Sequence, residues 1–333
     1  MLKVIRYEES LHHGLWDDFV LNGSVNGTFL QSKSFLNYHP RERFPDHSLL
    51  IREDSGNLCA VLPACEADDS GRKVLFSHKG STFGGPVIHP KRYNASDTAE
   101  ILEAIEQYAQ GKHFEKLVLK ITPDLFAVEK SDLLQYLLWQ RGYQNYCELS
   151  TYVDFNGYKE KIESNFAQGK RTNVNNCIKA GLSFKKLETA DEISAFYEIL
   201  TENLTKCNAK PVHTREEIDD LYQNRIRDYI NFYGVFSDEE MLAGTMLFLF
   251  PRTNTVHTQY LAAKQEYNKL SPMTFLYYSI LREARALNYG CVSWGISTEN
   301  QGRELNTQLL WNKEAYGSKH ALNRTYFKEF QNG

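Results

Sequence analysis

The residues with the clearest chemical potential lie between Thr255 and Gly317. Ser271-Pro272 opens a long amphipathic segment. A proline-started helix leaves its first N–H groups, here those of Met273 and Thr274, without partners inside the helix. The helix dipole makes such a tip attractive to anions. Ser271, Met273 and Thr274, with Lys264 and Lys269 in the preceding loop, therefore form a candidate phosphate site, with an ordinary capped surface helix as its equal competitor. Arg171 with Lys170 is a second candidate for a phosphate or carboxylate, because an arginine fork binds such groups bidentately; a solvated basic helix face is the plain alternative. The loop Lys79-Gly-Ser-Thr-Phe-Gly-Gly-Pro86 brings glycines where backbone bends sharply or approaches something closely. Thr82, Gly84 and Gly85 are the candidates there, against a simple tight turn. His12-His13 has no third ligand at useful spacing, so no metal site is expected.

The elements that must position these residues follow from periodicity. Ser271 as N-cap, Pro272 in the first turn and Gly290 as a left-handed stop delimit a helix. Its apolar stripe is Leu276, Ile280, Ala284 and Leu287, with Ser279, Arg282, Glu283 and Arg285 off it. Thr255–Ala263 before it and Cys291–Trp294 after it are predicted as strands. A hairpin, Tyr229–Phe236 and Leu242–Phe250 around Ser237-Asp-Glu-Glu240, precedes them. Similar pieces occur earlier in the chain: a hairpin around Asp54-Ser-Gly-Asn57, a strand at Val74–Ser77, and a helix capped by Asp97 and stopped by Gly111. The strand Lys116–Ile121 follows. The repeated layout predicts an internal duplication of an α/β unit, with domains over 1–152 and 153–333.

Composition bounds the function classes. The chain has 333 residues, more than one hydrophobic core usually serves. Hydrophobic content of 42% and charged content of 24% are those of a globular protein, and a net charge of -4 argues against a generic nucleic-acid binder. Six scattered cysteines without a C-x-x-C pair point to reduced thiols in the cytosol. No apolar run is long enough for a signal peptide or a membrane span, so a cytoplasmic location is expected.

A strand, an anion-receptive loop and a helix after a β-hairpin resemble the GNAT acyltransferase core. With the duplication, the chain resembles a tandem GNAT protein, similar to the Fem-type peptidoglycan-bridge aminoacyltransferases. Three stretches carry the likeness: the basic segment Gly169–Gly181, Tyr260-Leu-Ala-Ala with Leu270-Ser-Pro272, and Leu309-Leu-Trp-Asn-Lys313-Glu-Ala-Tyr-Gly317. It departs from the GNAT pattern at the pyrophosphate loop, because Lys264–Leu270 contains no glycine. The long charged arm of some Fem-type enzymes is also absent.

The resemblance implies a mixed α/β fold of two GNAT-like domains and transfer of an acyl group to an amine by direct attack. A coenzyme A thioester is the implied donor, and an amine of a cell-wall or polysaccharide precursor the implied acceptor. Lys313 is then the candidate to stabilise the developing oxyanion. Glu299 and Glu304 are candidates to take the amine's proton, and Tyr260 and Tyr316 to return one to the leaving group. Each has a plain structural alternative, as most of 20 tyrosines must. An aminoacyl-tRNA donor is the alternative chemistry, disfavoured by the acidic charge balance and the missing arm. A non-catalytic binding protein that has lost its donor site is the third. Neither donor, acceptor nor oligomeric state is fixed by these residues.

Overall fold

A computed structural model describes residues 2–40, 42–206 and 209–330. Cys207 lies outside the described residues, and the other five cysteines are free thiols. Contacts divide the chain into two compact units, Met1–Cys147 with Leu322–Gly333, and Glu148–Ala321.

Unit 1 opens with β1 (Leu2–Arg6), α1 (Glu9–Asn22) and the single turn α2 (Lys33–Leu36). There follow β2 (Leu49–Glu53), β3 (Leu58–Leu62), β4 (Cys65–Asp69), β5 (Arg72–Ser77) and β6 (Val87–Ile88), then α3 (Ala95–Gly111), β7 (Lys116–Lys120) and α4 (Asp132–Gln140). One sheet has the order β1-β2-β3-β6. In the other, β4 pairs antiparallel with β5, which lies parallel to β7. Strand β8 (Gln144–Asp154) carries the chain into unit 2, and β16 (Lys319–Glu329) brings it back to pair with β7. Asn94 caps α3 by accepting from Asp97 N–H, in place of the expected Asp97 cap. Its left-handed exit falls on His113, because the helix runs through Gly111.

Unit 2 consists of α5 (Gln168–Lys179), β9 (Ser183–Lys186), α6 (Ala190–Lys206), α7 (Arg215–Asp220), β10 (Ile230–Ser237), β11 (Glu240–Phe250) and β12 (Thr255–Ala263). After these come α8 (Pro272–Ala286), β13 (Cys291–Ile296), the small hairpin β14 (Thr298–Glu299) and β15 (Glu304–Leu305), and α9 (Thr307–Glu314). Its sheet runs β8-β13-β12-β11-β10-β9, antiparallel except for β12 with β13.

The helix predicted after Pro272 forms over Pro272–Ala286, but three of its expected details differ. Its apolar stripe is wider: Phe275, Tyr277, Tyr278, Ser279 and Leu281 are buried with Leu276, Ile280 and Ala284, whereas Leu287 is 47% exposed. Sheet and neighbouring helices cover it on several sides, so even Ser279 is enclosed. The left-handed stop is Asn288 (φ 62°) rather than Gly290, whose N–H instead donates to Asn254 O at 2.8 Å. Ser271 occupies the cap position in a left-handed conformation (φ 55°) and makes no side-chain cap; its carbonyl accepts from Thr274 and Phe275 N–H. No helix among the described residues is long and apolar enough to cross a membrane.

Because Leu276 is fully enclosed and Leu287 is not, Leu276→Ala is expected to cost about 2–5 kcal/mol. Leu287→Ala is expected to stay within about 0.5 kcal/mol of the parent chain. Urea unfolding of the two variants measures the contrast.

Candidate active site

The site is built around one parallel strand pair. β12 and β13 are in register over only Thr255–His257 with Cys291–Ser293. Each strand carries an irregularity close to the end of that pairing: a bulge opposite Met246/Leu247 in β12, and a register shift between Ser293 and Gly295 in β13. A bulge bends its strand and raises local twist, and the two strands separate as a fork. Both begin at the closed end, so α8, which joins them, has its N-terminus at the open end.

The open edge of β12 offers backbone groups. Lys264 N–H donates to Leu242 O, which sets the alternation of the ladder with β11. The N–H and C=O of Leu261 and Ala263 then point away from β11, toward the fork. Asn203 of α6 satisfies both groups of Ala263 at 3.2 and 2.8 Å, leaving those of Leu261. At the α8 tip, Met273 N–H finds no partner among the described residues, whereas the expected opening at Thr274 is closed by Ser271 O at 3.0 Å. Lys264 is not available to an anion as expected, because Glu240 holds its ammonium at 2.7 Å. Lys269 is exposed.

Lys313 lies beside the fork. Only 4% exposed, its ammonium donates to Gly295 O at 3.1 Å and Ile296 O at 2.7 Å. Burial pulls its pKa down to about 8. It is therefore not a solvated helix lysine, although its neighbours Leu309 and Trp311 are exposed and only Leu310 of that run is buried. His257, at the end of the parallel pairing, bonds Ser293 Oγ through Nδ1 at 3.0 Å. Burial of its ring first, and the Lys313 charge second, lower its pKa to about 4. Gly295 takes φ 74° there, and a Cβ on it would lie 3.4 Å from His257 Cε1.

The remaining candidates separate into two groups. Tyr316 is fully buried, stacked on Tyr277 at 4.4 Å, and burial raises its pKa, with Thr274 close enough to oppose that shift. Lys170 sits 5.1 Å over its ring and donates to Asn312 at 2.6 Å, so α5, α9 and the α8 start converge on one place. Cys177 thiol donates to Leu270 O at 3.1 Å behind the α8 tip. Arg171 is exposed on α5. Tyr260 lies on β12 with its hydroxyl 2.6 Å from His213 Nδ1, and burial raises its pKa to about 12. Glu299 and Glu304 face solvent as partners in the β14–β15 hairpin, where they accept from Asn306 at 3.0 Å and Asn300 at 3.1 Å.

Thr82, Gly84 and Gly85 belong to unit 1. Thr82 is exposed, but both glycines are buried with their backbone groups bonded inside the unit. Sequence reasoning passed over His257, His213 and Ser293, because an isolated polar residue in a strand carries no spacing signal. Among the described residues there is no group of three or more side chains able to hold a metal ion.

Comparison with known proteins agrees with this geometry. Residues 165–301 match the acetyltransferase (GNAT) domain model. No curated protein matches in sequence. Among solved structures, FemX superposes with a TM-score of 0.68 at 11% identity, over 98% of this chain and 97% of that one. A C-terminal domain (DUF2156) of a putative lysylphosphatidylglycerol synthetase from Agrobacterium fabrum gives 0.62 at 14%, over 98% and 93%. A tandem GNAT protein from the clavulanic acid biosynthesis pathway gives 0.57 at 10%, over the whole of both chains. Residues 165–301 thus carry the match to a GNAT acetyltransferase domain, and the fold of the whole chain is that of a tandem GNAT protein, similar to FemX.

Proposed function

We propose that the protein is an N-acyltransferase whose second unit takes an acyl-CoA in the β12–β13 fork and passes the acyl group to an amine of a cell-wall or polysaccharide precursor. The fork itself carries this reading: two parallel strands that part after three register pairs, with the Leu261 amide and carbonyl on the open edge. A thioester arm containing amides adds to such an edge as a short strand would. Met273 N–H at the α8 tip, with Lys269 nearby in sequence, suits the donor's phosphates. That end is weaker than a glycine-rich loop would be, since Lys264 is spent on Glu240. The tandem GNAT relative is described in its form without AcCoA, which favours the same donor class.

The amine nitrogen bonds to the thioester carbonyl carbon, the C–S bond breaks, and the thiolate leaves with the proton the amine gives up. Lys313 is assigned to the carbonyl oxygen. Its ammonium has three N–H donors, and Gly295 and Ile296 take two. Held by two carbonyls, it needs no reorganisation as charge develops. Glu299 and Glu304 are assigned to the proton, received through water because both face solvent. Tyr316, beside Thr274, and Tyr260 are the candidates to return it. Arg171 and Lys170 on α5 are assigned to acidic or polar groups of the acceptor; Thr82, Gly84 and Gly85, which belong to unit 1, are not.

A second reading keeps the site and exchanges the donor for an aminoacyl-tRNA. The glycine-free segment Lys264–Leu270 and the exposed Arg171 favour it, as does the likeness to FemX. Acyl transfer measured with a panel of acyl-CoAs, charged tRNA and amine acceptors separates the two. Turnover with acyl-CoA and none with charged tRNA is expected; the reverse selects the second reading, and no transfer from either defeats both.

Lys313→Met, which keeps the side-chain volume, is expected to lower kcat by about 100–1000-fold, from the worth of one oxyanion donor. Unchanged turnover would remove Lys313 from the mechanism. Because the Lys313 pKa lies near 8, turnover of the parent should decline as pH rises through that value and the ammonium discharges. That descending limb should be missing from the pH profile of Lys313→Met. Stability moves the other way. The folded pKa lies below the unfolded value of about 10.4, so between these values the unfolded chain binds more protons and stability rises with pH. Urea titrations at pH 8 and pH 10 should show that rise in the parent and not in Lys313→Met.

A further inference from the structure

The two units repeat one arrangement with opposite outcomes. In unit 1 the parallel pair is β5 with β7, in register from Val74 with Lys116 to Ser77 with Leu119. β4 flanks β5 antiparallel, as β11 flanks β12. A long helix joins the parallel strands in each case, α3 in unit 1 and α8 in unit 2. Past the pairing, β12 continues to Ala263 with an edge left open at Leu261. β5 instead stops at Ser77, and the chain folds back into the equivalent gap.

The segment that enters is Phe83-Gly84-Gly85. Gly84 N–H donates at 2.7 Å to Lys120 O, the last residue of β7. The Gly84 carbonyl accepts from Gln31 Nε2, which also reaches Thr122 Oγ1 at 2.9 Å. Thr122 Oγ1 donates in turn to Asn26 O at 2.8 Å, and Asn26 Nδ2 donates to Pro86 O at 2.8 Å, closing a ring of bonds around the segment. Ser77 Oγ, at 3.3 Å from both Gly85 N and Lys120 N, ties the insertion to the strand ends. Ser81 Oγ donates to Leu30 O at 3.0 Å, and Lys120 ammonium to Ser81 O at 2.7 Å. Any Cβ on Gly84 would collide with the Ser77 carbonyl, so only glycine passes this close. Phe83 is 2% exposed and stacks on Phe126 at 5.4 Å. The gap between the two strand ends, which an amide-bearing donor would need open, is filled by the chain itself.

We infer that Phe83–Gly85 is a built-in occupant of the unit 1 fork, so that the chain takes a single activated donor, in unit 2, and none in unit 1. The inference rests on the proposed entry of the donor between β12 and β13. It also explains why a loop with two adjacent glycines survives packing in unit 1 while Lys264–Leu270 in unit 2 has none: the glycines serve the chain's own backbone, not a ligand.

Amide hydrogen exchange of the full chain, with and without coenzyme A, tests both levels. Without ligand, Gly84 N–H should exchange on the order of a thousand-fold slower than an unprotected amide, as core amides do. Coenzyme A should slow exchange at 258–262 and 272–275 and leave 78–86 unchanged. Fast exchange of Gly84, or protection of 78–86 that appears only with coenzyme A, overturns the filled fork. Slow Gly84 exchange with no effect of coenzyme A anywhere would uphold the filled fork and defeat the acyl-CoA reading instead. Gln31→Ala adds a check that needs no ligand: Gly84 exchange should accelerate at least tenfold, and an unchanged rate counts against the ring of bonds.

Discussion

Everything in the second unit depends on the limit to β12–β13 pairing. Parallel strands normally continue their ladder until one ends, because each unpaired backbone group in the interior costs what a lost hydrogen bond costs. Here the ladder stops after three pairs, and the irregularities that stop it lie in both strands. What remains on β12 is backbone with hydrogen-bonding capacity and, among the described residues, no partner at Leu261. Asn203 shows what that edge will accept, since its side-chain amide already pairs with Ala263 as a peptide would. The helix that follows β12 then brings its N-terminus to the same open end by topology alone.

Lys313 illustrates the second constraint. An ammonium taken out of water must be given acceptors or lose its proton. The Gly295 and Ile296 carbonyls supply them, and both residues follow directly on the register shift in β13. The same irregularity that opens the fork thus seats the charge beside it. The lowered pKa values of Lys313 and His257 are two faces of one fact: both rings of solvation have been stripped, and each site resists a positive charge. A site that keeps a lysine poised between charged and neutral near physiological pH is well placed for chemistry on a carbonyl and an amine.

Duplication explains the economy of the chain. A fork is useful where something enters it and a liability where nothing does, because exposed strand edge invites wrong pairing. Unit 1 answers this by folding Phe83–Gly85 into the gap and satisfying it from Gln31, Thr122 and Lys120. In unit 2 the pairing of β12 with β13 stops after three pairs, and β12 runs on to Ala263. The two halves share their order of elements yet differ in whether a strand runs on or turns back at one residue, Ser77 in one case and His257 in the other.

The amino-acid pattern by itself determined the mixed α/β class, the repeat of hairpin, strand, helix and strand, and the existence of α8, because these follow from local period and capping chemistry. It also singled out Lys313 as a candidate, through a motif and the apolar run before it, and the structure buries that lysine. Details set by long-range packing escaped it. Ser271 seemed a capping serine but is a left-handed turn residue, and Asn288, not Gly290, ends the helix. Lys264 resembled a phosphate ligand until Glu240, 24 residues earlier, was found holding it. The glycines of the first loop read either as a ligand-facing loop or as a plain tight turn, yet Gln31, 53 residues before Gly84, makes them interior backbone. Only tertiary structure decided where the strands part and which charges are buried. Both depend on partners far apart in the chain, whose approach leaves no trace in the spacing of neighbouring residues.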